Sequence, residues 1–483
     1  FLIMKKSIIF LLFVVNLNSQ SLTVKVLDSL SFSPIPFATV YFSNGKGIIT
    51  NEEGKFELIE QQFEKKDTLF ISSMGYKKVS LALDNFNDSM IYMTPKMIEL
   101  GNVIITNRNL SSKEIIEKVK KGIDKNYQTQ LSENKIFYRN EFNGTTEKFK
   151  LNKFKSSIDE INSFLIDSLL NSLPKENKGV SEVLCYYYGN LEEENQKINL
   201  IKSRETSNKE DEMLKSLNSR LEESLKESLK SNSYFKIRSG LLPFSGDLKI
   251  DGLWDVEDST SQEAIKKAQE SDLKRKQNFA VSRKSRITNI YSKLFYNDGT
   301  DLDFILKSNK YNFSSPELTY LGNQLVYIIY CEPKGSRDFK GTLYINSDDF
   351  AVVRIDFENV KPLFKLKLLG ISVNNYLQEG RMVFSKLNNE NYSLSYFQLS
   401  SARKLGIDRP FKIIEKNKYV KGRRKQNQIS FKLDLVFNSI YTQELQVFES
   451  KVINAKNFEK IKEENKVLPE FLDEFTTNFW EEF

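Results

Sequence analysis

The sequence predicts a mainly β chain with helical insertions, an α+β arrangement in which a small N-terminal β-sandwich precedes a helix-decorated antiparallel β-sheet domain. Three observations predict it. Aromatic residues make up 12% of the chain, led by 36 Phe and 21 Tyr against only 10 Pro, a balance that favours strands over loops. Between Leu22 and Thr94, short alternating runs recur at regular spacing with turn signals between them. From Leu302 to Val447 strand-like runs return, after a stretch with helical periodicity. With 483 residues, 40% of them hydrophobic, the chain can bury ordinary cores in two or three units.

The chain opens on a secretory pattern. Met4 is the expected start, with residues 1–3 an overrun. Lys5 and Lys6 form a positive n-region, Ile8–Val15 an apolar h-region, and Leu17 and Ser19 suit cleavage before Gln20. Eight apolar residues are too few to span a membrane. No Cys follows, so no lipoprotein anchor is expected. Residues 1–20 are therefore read as a signal peptide, and the protein is expected in the periplasm or at the outer membrane.

The runs "LTVKVLD", "FATVYF", "GIIT", "GKFELI", "DTLFISS" and "KKVSLAL" read as successive strands. Asn44-Gly45 is a hairpin signal, because Gly accepts the positive φ of a type I′ turn. Asn51–Gly54 makes the next reversal with Gly54 at positive φ, and Ile49, Phe56 and Leu58 are expected to face one core.

"SPIPFATVYFSNGKGIITNEEGKFEL", "DTLFISSMGYKKVSL" and "IELGNVIIT" together resemble the carboxypeptidase-like regulatory domain of Bacteroidota surface and envelope proteins. Pro36, Ala38, Val40, Gly47, Thr50, Asn51, Gly54, Phe56, Ser72, Gly75 and Tyr76 match its pattern; the opening "VKVLDSL" lacks the Gly usual before the first Val. The resemblance implies a transthyretin-like seven-strand β-sandwich over residues 22–106. It implies no peptidase chemistry, since the zinc ligands of metallocarboxypeptidases belong to a different domain.

Beyond it, "SSKEIIEKVKKGIDKNY" has Ser111 as N-cap and Glu114 as capping-box partner, with Ile115, Ile116, Val119 and Ile123 near helical spacing. This predicts a linking helix within 107–130. In the remainder, 131–483, "KIFYRNEF" and "VLCYYYGNL" read as strands, and helical insertions are expected near 156–173, 205–233 and 257–286. The second carries Leu214, Leu217, Leu221, Leu225 and Leu229 in steps of three and four. "DLDFILK", "LVYIIYCEP", "KGTLYINSDDFAVVRIDFE", "GRMVFSKL", "YSLSYFQLS" and "ISFKLDLVF" read as strands, with a meander turn at Asp348 and Asp349. The meander resembles the curved antiparallel sheet of lipoprotein-carrier and related envelope proteins.

Histidine is absent, which removes Ser-His and Cys-His nucleophile pairs and imidazole zinc ligands. No catalytic, cofactor-binding or metal-ligating residue is assigned, no cofactor is expected, and the protein is read as a non-enzyme. Asn297, Asp301 and Asp303 surround Gly299 as calcium ligands would, but the loop lacks the closing Glu of an EF-hand, and a capped turn is expected. Cys185 and Cys331 suit either a disulfide or two buried free thiols. Lys412, Lys416, Lys418, Lys421, Arg423, Arg424 and Lys425 form either a solvated hairpin loop or a contact for anionic lipid head groups or acidic polysaccharide. Tyr419 alone offers no stacking series, and a net charge of +7 over this length is too mild for a nucleic-acid footprint.

The expectation is a secreted, non-catalytic envelope protein that binds or scaffolds at the bacterial outer membrane. An envelope protein, a polysaccharide or lipid would be its partner, with peripheral membrane association. One alternative is a periplasmic carrier holding lipid or another apolar ligand in the C-terminal sheet, which an apolar cavity rather than a filled core would mark. Another is an outer-membrane barrel built from the strands after Leu302, against which the polar helical insertions argue.

Overall fold

Short alternating strands fold the N-terminal part into two sheets that share one core. The computed structural model describes residues 21–94, 110–206, 228–240, 248–249 and 262–472, less 30–31, 33, 36–37, 44–46, 51–53, 60–63, 65, 74–75, 85, 87, 191–195, 230–232, 322–323, 387–390, 418, 423 and 465. The chain resolves into two units, 1–104 with 319–324 and 474–483, and 105–318 with 325–473.

The first unit holds β1 (Ser21–Asp28), β2 (Thr39–Phe42), β3 (Gly47–Ile49), β4 (Lys55–Ile59), β5 (Thr68–Ser72), β6 (Val79–Ala82) and β7 (Met90–Met93). One sheet has the order β4-β1-β7 and the other β3-β2-β5-β6. Val24, Val26, Phe56 and Ile91 from the first pack with Val40, Phe42, Leu69 and Ile71 from the second. The period-2 alternation of each strand produces this, since alternate side chains leave the same face. Gly54 has φ +69°, and a Cβ there would come 2.6 Å from the Val26 carbonyl oxygen, so both conformation and space demand glycine. The buried Thr50 hydroxyl accepts from the Ala38 amide at 2.8 Å and donates to the Ile35 carbonyl at 3.0 Å, tying two chain reversals together. Asn44-Gly45, Asn51, Pro36, Gly75 and the signal segment lie outside the described residues.

The second unit contains α1 (Ser112–Asn126), β8 (Ser132–Ser156), α2 (Ser163–Ser172), β9 (Glu176–Gly189), β10 (Gln196–Thr206), β11 (Ser233–Ser239), β12 (Leu248–Lys249) and α3 (Gln262–Tyr291). It continues with β13 (Tyr311–Phe313), β14 (Glu317–Leu321, of which 319–321 count with the first unit), β15 (Gln324–Pro333, of which 324 counts with the first unit), β16 (Phe339–Asn346), β17 (Val352–Asn359), β18 (Phe364–Leu368), β19 (Ile371–Ser385), β20 (Ser393–Asn417), β21 (Lys425–Val452), α4 (Ala455–Lys460) and β22 (Glu470–Leu472). One large sheet runs β13-β15-β16-β17-β19-β20-β21-β8-β9-β10-β22, with β18 on β19 and β11 on β20. Along this path neighbouring strands run antiparallel except β10 with β22, which are parallel.

β8, β20 and β21 run 25, 25 and 28 residues, far beyond the usual strand of about 3–10. Bulges between Ser430 and Lys432 and between Val436 and Phe437 absorb the twist that so long a pair accumulates. Pro410 sits inside β20 without breaking it. The preceding same-side amide, Asp408 N, donates to the Gly370 carbonyl at 2.7 Å, and β11 takes up the edge only from Phe411. The amide that proline lacks therefore falls in the gap between the end of β19 and the start of β11.

α1 begins at the expected cap: Ser111 Oγ accepts from the Glu114 amide, and Glu114 Oε2 accepts from the Ser111 amide at 2.8 Å. α3 and the turns after it bury Ile287, Ile290, Leu294, Phe295, Phe304 and Ile305. The expected strand "DLDFILK" is a correction. Asp301–Lys307 forms turns, with the Lys307 amide donating to the Asp303 carbonyl at 2.8 Å. Leu302, Asp303, Phe304 and Ile305 are all buried in succession, which an alternating strand on a two-sided sheet does not permit. Within the insertion expected near 205–233, Glu205 and Thr206 end β10, Ser228 is helical and Ser233 opens β11; the rest, including the terminal residues from 473, lies outside the described residues. Among the described residues, no helix is long and apolar enough to cross a membrane.

Candidate binding surfaces

The register of the large sheet lines up one residue from each of nine strands: Tyr330, Thr342, Asp356, Arg381, Gln398, Glu444, Arg139, Glu182 and Arg204. Cross-strand neighbours share a face, so this is one polar row. At one end it is buried. The Glu182 carboxylate accepts from Arg139 Nη1 at 2.7 Å and Arg204 Nε at 2.6 Å, all three side chains being nearly inaccessible. Burial pulls the Arg204 pKa down, and the Glu182 charge opposes that pull. Beside them, burial raises the Glu444 carboxyl pKa, while Arg139 and the Tyr396 hydroxyl, donating at 3.1 Å, oppose the rise.

The other end opens into a trough of about 490 Å³. Its floor is Thr342, Asp356, Arg381 and Gln398 from the row, with Lys340, Glu358, Glu379 and Ser400 beside them on the same face; Tyr330 and Glu332 line it at β15. The floor is held before any ligand arrives. Asp356 accepts from Arg381 Nε at 2.7 Å and from Arg354 Nη2 at 2.5 Å, and Lys340 Nζ lies 2.8 Å from Glu358. Arg354 lies over the Tyr344 ring at 4.8 Å. Glu358 and Glu379 are direct cross-strand neighbours, a like-charge pairing that costs stability. Behind the floor, a Cβ on Gly380 would come 2.4 Å from the Gln398 carbonyl oxygen and 2.6 Å from the Phe357 ring, so the glycine lets that ring lie against the sheet.

The opposite, helix-covered face is filled. Arg283 donates to Ser181 Oγ at 2.9 Å and Glu205 Oε1 at 2.6 Å, and Arg286 to the Tyr441 hydroxyl at 2.8 Å. Asn140 Oδ1 accepts from both guanidiniums while its amide nitrogen donates to the Tyr138 and Tyr441 hydroxyls. Burial lowers the Arg283 pKa and raises that of Tyr138. Further along, Tyr127, Phe295 and Phe384 pack edge to face at 5.3–5.6 Å.

Of the residues singled out from sequence, Cys185 and Cys331 are buried free thiols on β9 and β15, well separated in strand order; the disulfide alternative falls, and burial pushes both thiols up. Asp303 accepts from the Tyr311 hydroxyl at 2.6 Å and lies 3.1 Å from Arg337, while Asn297 donates to the Tyr291 carbonyl, so the two face different neighbours. Among the described residues no group of three potential metal ligands gathers. Asp349 braces its turn, accepting from the Ala351 amide and the Tyr392 hydroxyl. Lys412 and Lys416 end β20, Tyr419, Lys421 and Arg424 belong to the hairpin, and Lys425 opens β21; Lys418 and Arg423 lie outside the described residues.

Sequence reasoning missed the polar row. Its signal was a lone charge inside an apolar run, as Glu182 in "VSEVLCYYY", but its pairing with Arg139 across 43 positions is tertiary.

Residues 23–105 match the CarboxypepD_reg-like domain family. No curated protein matches the chain. Among solved structures, a LolA superfamily protein from Nitrosomonas europaea is similar at 8% identity over 73% of this chain and 98% of its own, with a TM-score of 0.16. A structure described as "Asymmetric conductivity of engineered proteins" is similar at 7% identity over 65% of this chain and 100% of its own, with a TM-score of 0.09. Likenesses at these TM-scores carry no argument about the fold.

Proposed function

We propose that the chain is a non-catalytic binding protein of the Bacteroidota envelope, exported across the inner membrane, whose sheet holds a polyhydroxylated envelope polymer in the trough. The observation that carries this reading is the trough floor. Donors (Lys340, Arg381) and acceptors (Asp356, Glu358, Glu379) stand on neighbouring strands, with Gln398, Thr342 and Ser400 able to do both. Sugar hydroxyls also donate and accept, so a saccharide chain laid across strands about 4.8 Å apart meets a partner at each step. Tyr330, 47% exposed, offers a ring face for stacking at the rim. The Asp356 carboxylate is held between two guanidiniums, which suits holding a ligand and not proton transfer. The CarboxypepD_reg-like domain, a regulatory domain type, supports the non-enzyme reading. Its two sheets support a transthyretin-like sandwich that serves as spacer or docking module.

The filled helix-covered face favours this reading over a carrier cavity beneath α3, and the helix packed on the sheet favours it over a barrel. The test is calorimetric titration of the full chain with a soluble cell-wall amino-sugar oligomer, together with co-sedimentation on purified sacculi. Binding is expected, weakened about tenfold by Arg381→Ala or Gln398→Ala. No binding to either probe, or binding indifferent to both substitutions, overturns the reading.

A further inference from the structure

Beyond Arg403 the long strands continue past the trough as a two-faced blade. On one face, cross-strand rows join Leu366, Val373, Leu405 and Phe437, then Leu368, Ile371, Ile407, Leu435 and Phe149. Arg409, buried and donating to the Ser239 carbonyl at 2.8 Å, separates these rows from Phe411–Phe431, and at the far end Ile429 packs against Ile158, Ile161 and Leu229, so the open apolar band is the Leu405 and Ile407 rows. The other face of the same strands carries Lys365, Lys367, Lys404, Lys148, Lys150, Lys432, Lys412 and Lys155. Asp408, Asp434 and Glu147 answer three of these, at 2.6, 2.5 and 2.7 Å from Lys432, Lys148 and Lys404. Eight lysines against three carboxylates leave this face strongly positive in a chain whose net charge is +7.

We propose that this blade docks on an anionic lipid bilayer, its apolar face against the acyl chains and its lysines and hairpin tip answering the headgroup charge. Three features select a bilayer. At the Leu405 and Ile407 rows the apolar band crosses five strands, about 19 Å at the strand spacing, a continuous row of large side chains broad enough to lie on a bilayer surface. The edge strand β18 bares Phe364, Leu366 and Leu368 at 49, 40 and 59%. The β20–β21 tip holds Tyr419, 80% exposed, beside Lys421, Arg424 and Lys425, the aromatic-and-basic mixture that sits at headgroup level. The sheet is one strand thick, so lysines on its back stay within about a Debye length of the headgroups. β18 presents an outer edge whose backbone groups need water, which keeps the blade at the interface and does not let it span.

The experiment is flotation of the full chain with phosphatidylglycerol-containing vesicles and with pure phosphatidylcholine vesicles, at low salt and at roughly 0.5 M salt. Wild type is expected to float with the anionic vesicles and about tenfold less with the neutral ones or in high salt. Leu366→Asp with Leu368→Asp, both at exposed positions, should lose about tenfold in flotation while circular dichroism and oligosaccharide binding stay unchanged. Lys421→Glu with Arg424→Glu should remove the preference for anionic vesicles. Failure of wild type to float overturns the proposal, as does flotation indifferent to the Leu366/Leu368 variant. So does a dimer that this variant dissociates in the absence of any flotation, or lipid recovered one molecule per soluble chain. Because the trough is assayed separately, its failure leaves this test intact.

Discussion

Tyr76 shows how one motif residue ties a fold together. Its hydroxyl donates to Asp28 Oδ2 at 2.8 Å across 48 positions. Burial, and then the Asp28 carboxylate, push its pKa up to about 12 from an ordinary 10. Between those values the folded state holds a proton that the unfolded chain has released, so the contribution is full below about pH 10 and falls away as pH rises towards about 12. Tyr76→Phe should therefore destabilise the first unit by about 1 kcal/mol at neutral pH and flatten its alkaline loss of stability. Calorimetry of both chains at pH values on either side of that window checks this. The motif was legible in part because Gly54 has a local reason for its identity, a positive φ, and Thr50 a near-local one, its bonds to Ala38 and Ile35. The carboxylate that Tyr76 meets was not, since nothing in "VLDS" marks Asp28 as its partner.

Among the elements, β19 is the one whose composition the neighbouring strands dictate. Gly380 has ordinary φ, yet a Cβ would strike both the Gln398 carbonyl and the Phe357 ring. Gly380→Ala should cost about 1–3 kcal/mol and disturb the trough floor. Gly179→Ala on β9, where a Cβ would meet nothing within 4 Å, should be close to neutral or stabilising. Urea midpoints of the two variants make the comparison. Strand lengths were the least legible feature. β20 runs on through both Gly406 and Pro410, because β21 pairs its other edge from Lys416 to Tyr396. The α1 start was legible to the residue, since a capping box is a contact between positions three apart.

At the scale of the whole molecule, two units with separate cores should melt separately. Calorimetry of the intact chain is expected to show two transitions, and deletion of residues 22–106 should leave the second in place. Glu182→Gln should lower only that second transition, by about 3–5 kcal/mol, because it leaves two buried guanidiniums without their shared carboxylate. A single transition in the intact chain, or an unchanged second one in the variant, would contradict this account.

By itself the sequence determined the β-rich class, the N-terminal domain's family pattern, the capped helix and the absence of imidazole chemistry. Each rests on periodicity, turn residues or composition, which act over a few positions. Only the tertiary structure decided that β21 pairs with β8 almost 300 residues earlier, that nine polar side chains fall into one row, and that lysines and leucines of the same strands part to opposite faces of a blade. Those outcomes depend on cross-strand register, and two or three bulges shift that register by one residue each, reversing which side chains share a face; no local pattern records where the partner strand lies.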